Sequence, residues 1–281
     1  MRILIPFYHS SLYLFCSLLP FACGMGCQSR QDHMWQRLAH SEASPLQEVL
    51  HANLEAIGGR TTWQKTHVIE ANAVATLFDV DRSSTLVDMT QVLKFDPHPS
   101  LTLGFRLPAG TWTEHLDSGG GVRIEGAQVD PAGDEGLETL HGAGLKLRLL
   151  VQASTQAVGL LNNAWTLKYL GKERKGGRLS HKIEVQGLTI RTGQKPKSSD
   201  QKNRLVIWFD ADSHLIDRLW LQYDRGQGNE AGYLAGNVGR YQRQADGLVL
   251  PTYVGVVRSD AFQQFSEQEI LRVEYQDIRV R

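Results

Sequence analysis

From His67 onward, hydrophobic and polar positions alternate along most of the chain. Ile69, Ala71, Ala73, Ala75 and Leu77 fall on one side of an extended segment, and Leu101, Leu103, Phe105 and Leu107 do so with Thr102, Gly104 and Arg106 between them. The same period recurs in Leu179, His181, Ile183 and Val185, in Leu205, Ile207 and Phe209, from Leu215 through Tyr223, and in Leu271, Val273 and Tyr275. A period of two is the signature of a half-buried strand, because successive side chains point to opposite faces. Turn residues separate the runs: Asp96-Pro97-His98-Pro99, Pro108-Ala109-Gly110, Ser118 to Gly121, Asp210 to Ser213, and Asp246-Gly247. The pattern predicts about ten or eleven antiparallel strands with one dry face and one wet face.

Two segments break the alternation. Ser44 can cap a helix, Pro45 suits its first turn, and Gln47 completes a capping box. Leu46, Val49, Leu50, Leu54 and Ile57 then repeat at three-to-four spacing until Gly58-Gly59, which supplies the left-handed cap conformation. Trp63 follows closely enough to cover the helix end. The second segment, Gly136 to Asn163, is rich in Leu and Ala, with helical spacing at Leu145, Leu149, Ser154, Val158 and Leu161. A sheet that must bury one apolar face against two helical segments has to curl round them. The predicted class is therefore α+β, mainly antiparallel β: a curved sheet or half-barrel of about 10–11 strands with helices across its concave face.

The N-terminus carries a different signal. Met1-Arg2 precedes the largely apolar stretch Ile3 to Ala22, which has the outline of a secretory signal peptide. It is also long enough to weigh as a membrane span, but Tyr8 to Ser11, Pro6 and Pro20 interrupt it. The three cysteines are Cys16, Cys23 and Cys27, all within or just after this stretch, which excludes a disulfide framework in the rest of the chain. Small residues directly before a cysteine at the end of an exported segment resemble the bacterial lipoprotein signal, in which the thiol is acylated. Cys27, preceded by Gly24, Met25 and Gly26, is the preferred attachment point, with Cys23 after Ala22 as the competitor. This reading divides the chain into a signal peptide at 1–26, a polar tether at 27–43, and one domain at 44–281.

Composition removes several functions. The 281 residues hold 30 basic and 30 acidic side chains and 41% hydrophobic residues, so no basic excess points to nucleic acid. The sequence has no GxSxG elbow, HExxH zinc motif, GxxxxGK[ST] phosphate loop or GxGxxG fingerprint. No catalytic residue, metal site or cofactor is assigned. His115, near Glu114 and Asp117, is the best acid and base grouping, but Glu114 should face away from it on a strand, as on an ordinary sheet surface. His181 sits on an apolar face and reads as a satisfied core histidine before a polar group in a cavity. Gly119-Gly120-Gly121 reads as a hairpin turn before an anion nest. Trp112, Trp208 and Trp220 either line a cavity or pack the sheet, with packing the leading reading.

LHANLEAIGGRTTW followed by strands, RLVIWFDADSHLIDRLWLQYD, and DGLVLPTYVGVV followed by ILRVEYQDIRV together resemble the bacterial lipoprotein carriers LolA and LolB. In that family a helix ending in two glycines precedes a curved sheet. The resemblance runs from about Leu46 to Arg281 and implies a half-barrel with an apolar cavity for acyl chains. Its partners would be a lipid or acylated ligand, and the membrane through the N-terminal anchor. The candidate lining, taken from the dry faces of central strands, is Leu101, Leu103, Phe105, Leu205, Ile207, Phe209, Leu219 and Leu221. Gln28, where the resemblance associates an aspartate with inner-membrane retention, permits placement at the outer membrane facing the periplasm. The alternative is a structural or protein-binding envelope lipoprotein with a filled core.

Overall fold

The computed structural model describes residues 44–78, 83–95, 100–107, 110–117, 122–126, 166–188, 203–224 and 231–281. The expected signal segment, both candidate lipidation cysteines, the tether, the Leu-rich segment at 136–163, the polar loop at 195–202 and the glycine turn at 119–121 lie outside these residues.

Two helices open the described chain. Helix α1, Pro45–Ala56, starts as its sequence dictates: the Ser44 hydroxyl accepts from the Gln47 N–H at 3.4 Å, and the Ser44 N–H donates to Gln47 Oε1 at 3.3 Å. Two backbone donors that a helix start leaves unpaired are thereby satisfied. Val49, Leu50, Asn53 and Leu54 are buried. Gly58, at φ +124°, turns the chain, and a second short helix follows at once, α2 at Gly59–Lys65. The glycine pair thus joins two helices instead of leading directly to a strand.

The remaining elements are strands: β1 Val68–Phe78, β2 Ser84–Lys94, β3 Ser100–Leu107, β4 Gly110–Asp117, β5 Val122–Gly126, β6 Thr166–Lys175, β7 Arg178–Leu188, β8 Asn203–Asp210, β9 Ile216–Asp224, β10 Ala231–Arg243, β11 Val249–Ser259 and β12 Phe265–Val280. They form one twelve-stranded sheet in the order β5-β4-β3-β2-β1-β12-β11-β10-β9-β8-β7-β6. Every recorded pairing is antiparallel. The count passes the ten or eleven strands expected, and the class is as expected. Two meanders meet where β1 pairs β12, bringing the two ends of the domain together: the N–H groups of His67 and Val68 donate to the Arg281 carbonyl. Consecutive strands β5 and β6 form opposite edges, so the sheet is open.

One apolar cluster joins α1, α2 and the inner face of the sheet from β3 to β7; it includes Leu50, Leu54, Trp63, Met89, Leu103, Ile183, Leu219 and Val254. A flat sheet spaced at about 4.8 Å per strand would put β3 and β8 roughly 34 Å apart, whereas a helix of 12 residues is about 18 Å long. The helices nevertheless touch both halves. Trp63 packs edge-on against Phe95 beside β2 at 5.7 Å, and Asn53 Nδ2 donates to the His214 carbonyl in the β8–β9 turn at 2.7 Å. Curvature brings these distant elements under one short helical cover.

Candidate functional site

Strand parity builds the inner face. In β8, Leu205, Ile207 and Phe209 point inward while Val206 and Trp208 point outward, and the register carries this across the sheet: Ile207 stands opposite Leu219 and Leu205 opposite Leu221. These four side chains form adjoining cross-strand pairs, the unit by which sheets are stabilised. Leu101, Leu103 and Phe105 lie on β3, six strand positions from β9. They reach the first group only through intervening residues of the same cluster, such as Met89, Ala73, Val273 and Val254. All eight candidate residues belong to this cluster, and none is more than 4% exposed. These eight side chains are closed to water in this structure.

The helices are the cover, and each attachment has a local cause. Asn53 occupies an apolar helix face because its amide donates to the carbonyl of His214, a residue held at φ 60° in the β8–β9 turn. Beyond the helix, the Ile57 carbonyl accepts from the Val249 N–H at 3.0 Å, tying the end of α1 to the β10–β11 turn. Trp63 on α2 fills the space above Phe95.

Polar groups on the inner face are paired with one another. Tyr275 on β12 and Gln91 on β2 flank β1, whose inner positions Ala71 and Ala73 are small enough for the two side chains to meet above them; the Tyr275 hydroxyl donates to Gln91 Oε1 at 3.1 Å. Burial pushes the Tyr275 hydroxyl far above the usual phenol range. His181 is half-buried and outside the apolar clusters, and its Nδ1 meets the Tyr169 hydroxyl at 3.0 Å. Burial, then Lys172 and His214, lowers its pKa from 6.5. The sheet face is therefore built for apolar contact with these polar groups engaged, while Asn53 Oδ1 and Trp63 Nε1 on the covering helices are buried without a hydrogen-bond partner.

Elsewhere the structure sorts the remaining sequence signals. His115 Nδ1 meets Thr102 Oγ1 at 3.1 Å, and its Nε2 lies 3.5 Å from Glu125 Oε2, a residue of neighbouring β5. Trp208 and Trp220 form an outer cluster with Val206, Tyr233 and Phe265. Trp208 Nε1 donates to Glu173 Oε2, and Trp220 Nε1 to the Asp260 carbonyl. Among the described residues, no group of three or more His, Cys, Asp or Glu side chains could hold a metal ion. None of their helices is long and apolar enough to cross a membrane.

No family model and no curated protein matches the chain by sequence. Solved structures similar to it include a LolA superfamily protein from Nitrosomonas europaea, at 10% identity over 85% of this chain and 94% of that one, with a TM-score of 0.45. An outer membrane lipoprotein-sorting protein domain from Vibrio parahaemolyticus is 12% identical over 83% and 91%, at 0.48. A DUF1329 family protein from Desulfovibrio piger is 13% identical over 85% and 94%, also at 0.48. At these identities and TM-scores the likenesses say nothing of a role or a ligand for this chain.

Two residues of note carried no signal strong enough to single them out in the sequence. Gln91 alternates with Met89 and Leu93 on the inner side of β2, where only its partner, 184 residues away, explains a polar group. Asp217 falls in step with Leu219 and Leu221, but the register shifts between Trp208 and Phe209, where Phe209 pairs with Ile216, leaving Asp217 as the extra residue of a bulge.

Proposed function

We propose that this protein is a lipid-anchored cell-envelope binder of a hydrophobic ligand, an acyl chain, lipid or lipidated peptide, which it takes onto the inner face of the sheet in lipid or lipoprotein transport. Cys27 would carry the anchor, and the placement would be the outer membrane facing the periplasm. The observation that carries the reading is one continuous apolar face, running from β3 to β7 of an open sheet and covered among the described residues by two short helices. Leu101, Leu103, Phe105, Leu205, Ile207, Phe209, Leu219 and Leu221 would touch the ligand. Each methylene transferred from water to such a face is worth about 0.8 kcal/mol, so ten of them supply roughly 8 kcal/mol without any catalytic group. Since these residues are closed to water here, part of that energy would go into parting the helices from the sheet.

The same closure favours a second reading, a protein-binding envelope lipoprotein whose core stays filled. Native mass spectrometry with solvent extraction separates the two. A carrier co-purifies with lipid of defined mass, or takes up added fatty acid or phospholipid at a fixed stoichiometry. A clean protein mass with no uptake of either would refute ligand binding and leave the filled core.

A further inference from the structure

A second place in the molecule is shaped for a ligand of different chemistry, at the end of the sheet where the β6–β7 and β8–β9 turns lie side by side. Their adjacency follows from the register, since Ser180 pairs with Asp210 and the Ala211 N–H donates to the Leu179 carbonyl. Two neighbouring hollows of about 450 Å³ each open here, and both are lined by Arg178, Asp217 and Val238. They make one trough.

Its charges are unevenly committed: Asp210 and Asp212 line the second hollow, and Asp210 Oδ1 already accepts from the Asp212 and Ser213 N–H groups and the Ser213 hydroxyl. The Arg218 guanidinium donates to Asp217 Oδ2 at 3.3 Å and to Ser180 Oγ at 3.2 Å, and it lies 5.4 Å from the Trp208 ring centroid. Lys175 lies over the Phe265 ring at 4.6 Å, so its ammonium keeps its hydrogen-bond donors for other partners. Arg178 is exposed and, among the described residues, makes no hydrogen bond or ion pair, although its charge helps to lower the Asp210 pKa. Asp217 lines both hollows; its carboxylate is held by Arg218 and its own backbone N–H, while Oδ1 is buried with no donor from another residue. A buried carboxylate oxygen left without a donor is costly, and native structures seldom retain one without a use. Burial, joined by the neighbouring Asp210 charge, raises the Asp217 pKa despite Arg218.

We propose that this trough binds a phosphate-bearing group that also carries a hydrogen-bond donor on a short spacer, with the phosphate on Lys175 and Arg178 and the donor on Asp217 Oδ1. Guanidinium and ammonium groups suit a phosphate through charge-assisted hydrogen bonds. The free carboxylate oxygen selects for an ammonium or hydroxyl beside that phosphate, and Phe265 and Val238 give the spacer an apolar wall. The chemistry is met by a free phosphoethanolamine-type metabolite or by a phospholipid headgroup. It does not depend on the inner face binding a lipid.

The test is binding to the purified full chain, by calorimetry and by amide chemical shifts, with three probes: inorganic phosphate, O-phosphoethanolamine, and vesicles containing phosphatidylethanolamine. O-phosphoethanolamine is expected to bind at least tenfold more tightly than inorganic phosphate, to weaken with salt, and to lose about tenfold in Arg178→Gln. Asp217→Asn should erase the preference over inorganic phosphate while leaving phosphate binding itself in place. Binding to vesicles but not to the soluble probes, with the same Arg178 dependence, identifies a lipid headgroup as the source. Binding to none of the probes overturns the proposal. So does equal binding of phosphate and phosphoethanolamine in wild type, or affinity indifferent to Arg178→Gln in a variant whose unfolding midpoint matches wild type.

Discussion

The joint between the two helices and the sheet turns on Gly58, and Gly58→Ala puts that joint to the test. Gly58 sits at φ +124°, where an L-residue is strained; holding a side chain in such a region costs of order 1–3 kcal/mol. The new Cβ would also stand 3.0 Å from the Gly247 carbonyl oxygen and 3.1 Å from Leu248 Cα. Both are backbone atoms of the β10–β11 turn, so relief requires moving the turn. That movement works against the 3.0 Å bond from the Val249 N–H to the Ile57 carbonyl, worth about 1 kcal/mol net. Together these give a loss of about 2–4 kcal/mol, a large part of the ~5–15 kcal/mol that holds an ordinary domain folded. Urea unfolding followed by tryptophan fluorescence measures it. Gly59→Ala, at φ +78°, carries comparable backbone strain but meets only the flexible Glu55 carboxylate at 3.2 Å, so the difference between the two variants isolates the clash with the turn. A Gly58→Ala midpoint as close to wild type as that of an ordinary surface change would refute the account of this joint.

Other predictions follow from single contacts. Ser44→Ala removes the hydroxyl half of the capping box and should cost about 1 kcal/mol in urea unfolding. Gln91→Leu or Tyr275→Phe alone leaves a buried polar partner unpaired and should cost roughly 1–3 kcal/mol, whereas the double variant should recover most of that loss, as a double-mutant cycle would show. The folded-state pKa of His181 lies below its ordinary 6.5, so the unfolded chain binds the proton first as pH drops. The contribution of His181 to stability is thus intact above about pH 6.5 and declines below it until the folded state also protonates. Thermal melts of wild type and His181→Phe should therefore diverge less at pH 5.5 than expected from their difference at pH 7.5, with wild type losing the greater stability on acidification. Identical pH slopes for the two proteins would contradict this.

The local sequence held much of this protein. Ser44, Pro45 and Gln47 specify the start of α1 because capping is a matter of residues three apart. The alternation of Leu205, Ile207 and Phe209 with Val206 and Trp208 had already separated the inner face from the outer, since parity within a strand is a property of the extended backbone. What no local pattern contains is the identity of a strand's neighbour. The pairing of β1 with β12, the meeting of Gln91 and Tyr275 over the alanines of β1, and the grip of Asn53 on the β8–β9 turn join residues far apart in the chain. Only assembly of the whole curved sheet decides them. The same holds for Asp217, whose sequence period places it with Leu219 and Leu221 and whose bulge sets it against the Arg218 guanidinium. A register shift arises from the competing demands of two strands, and that competition exists only once both are in place.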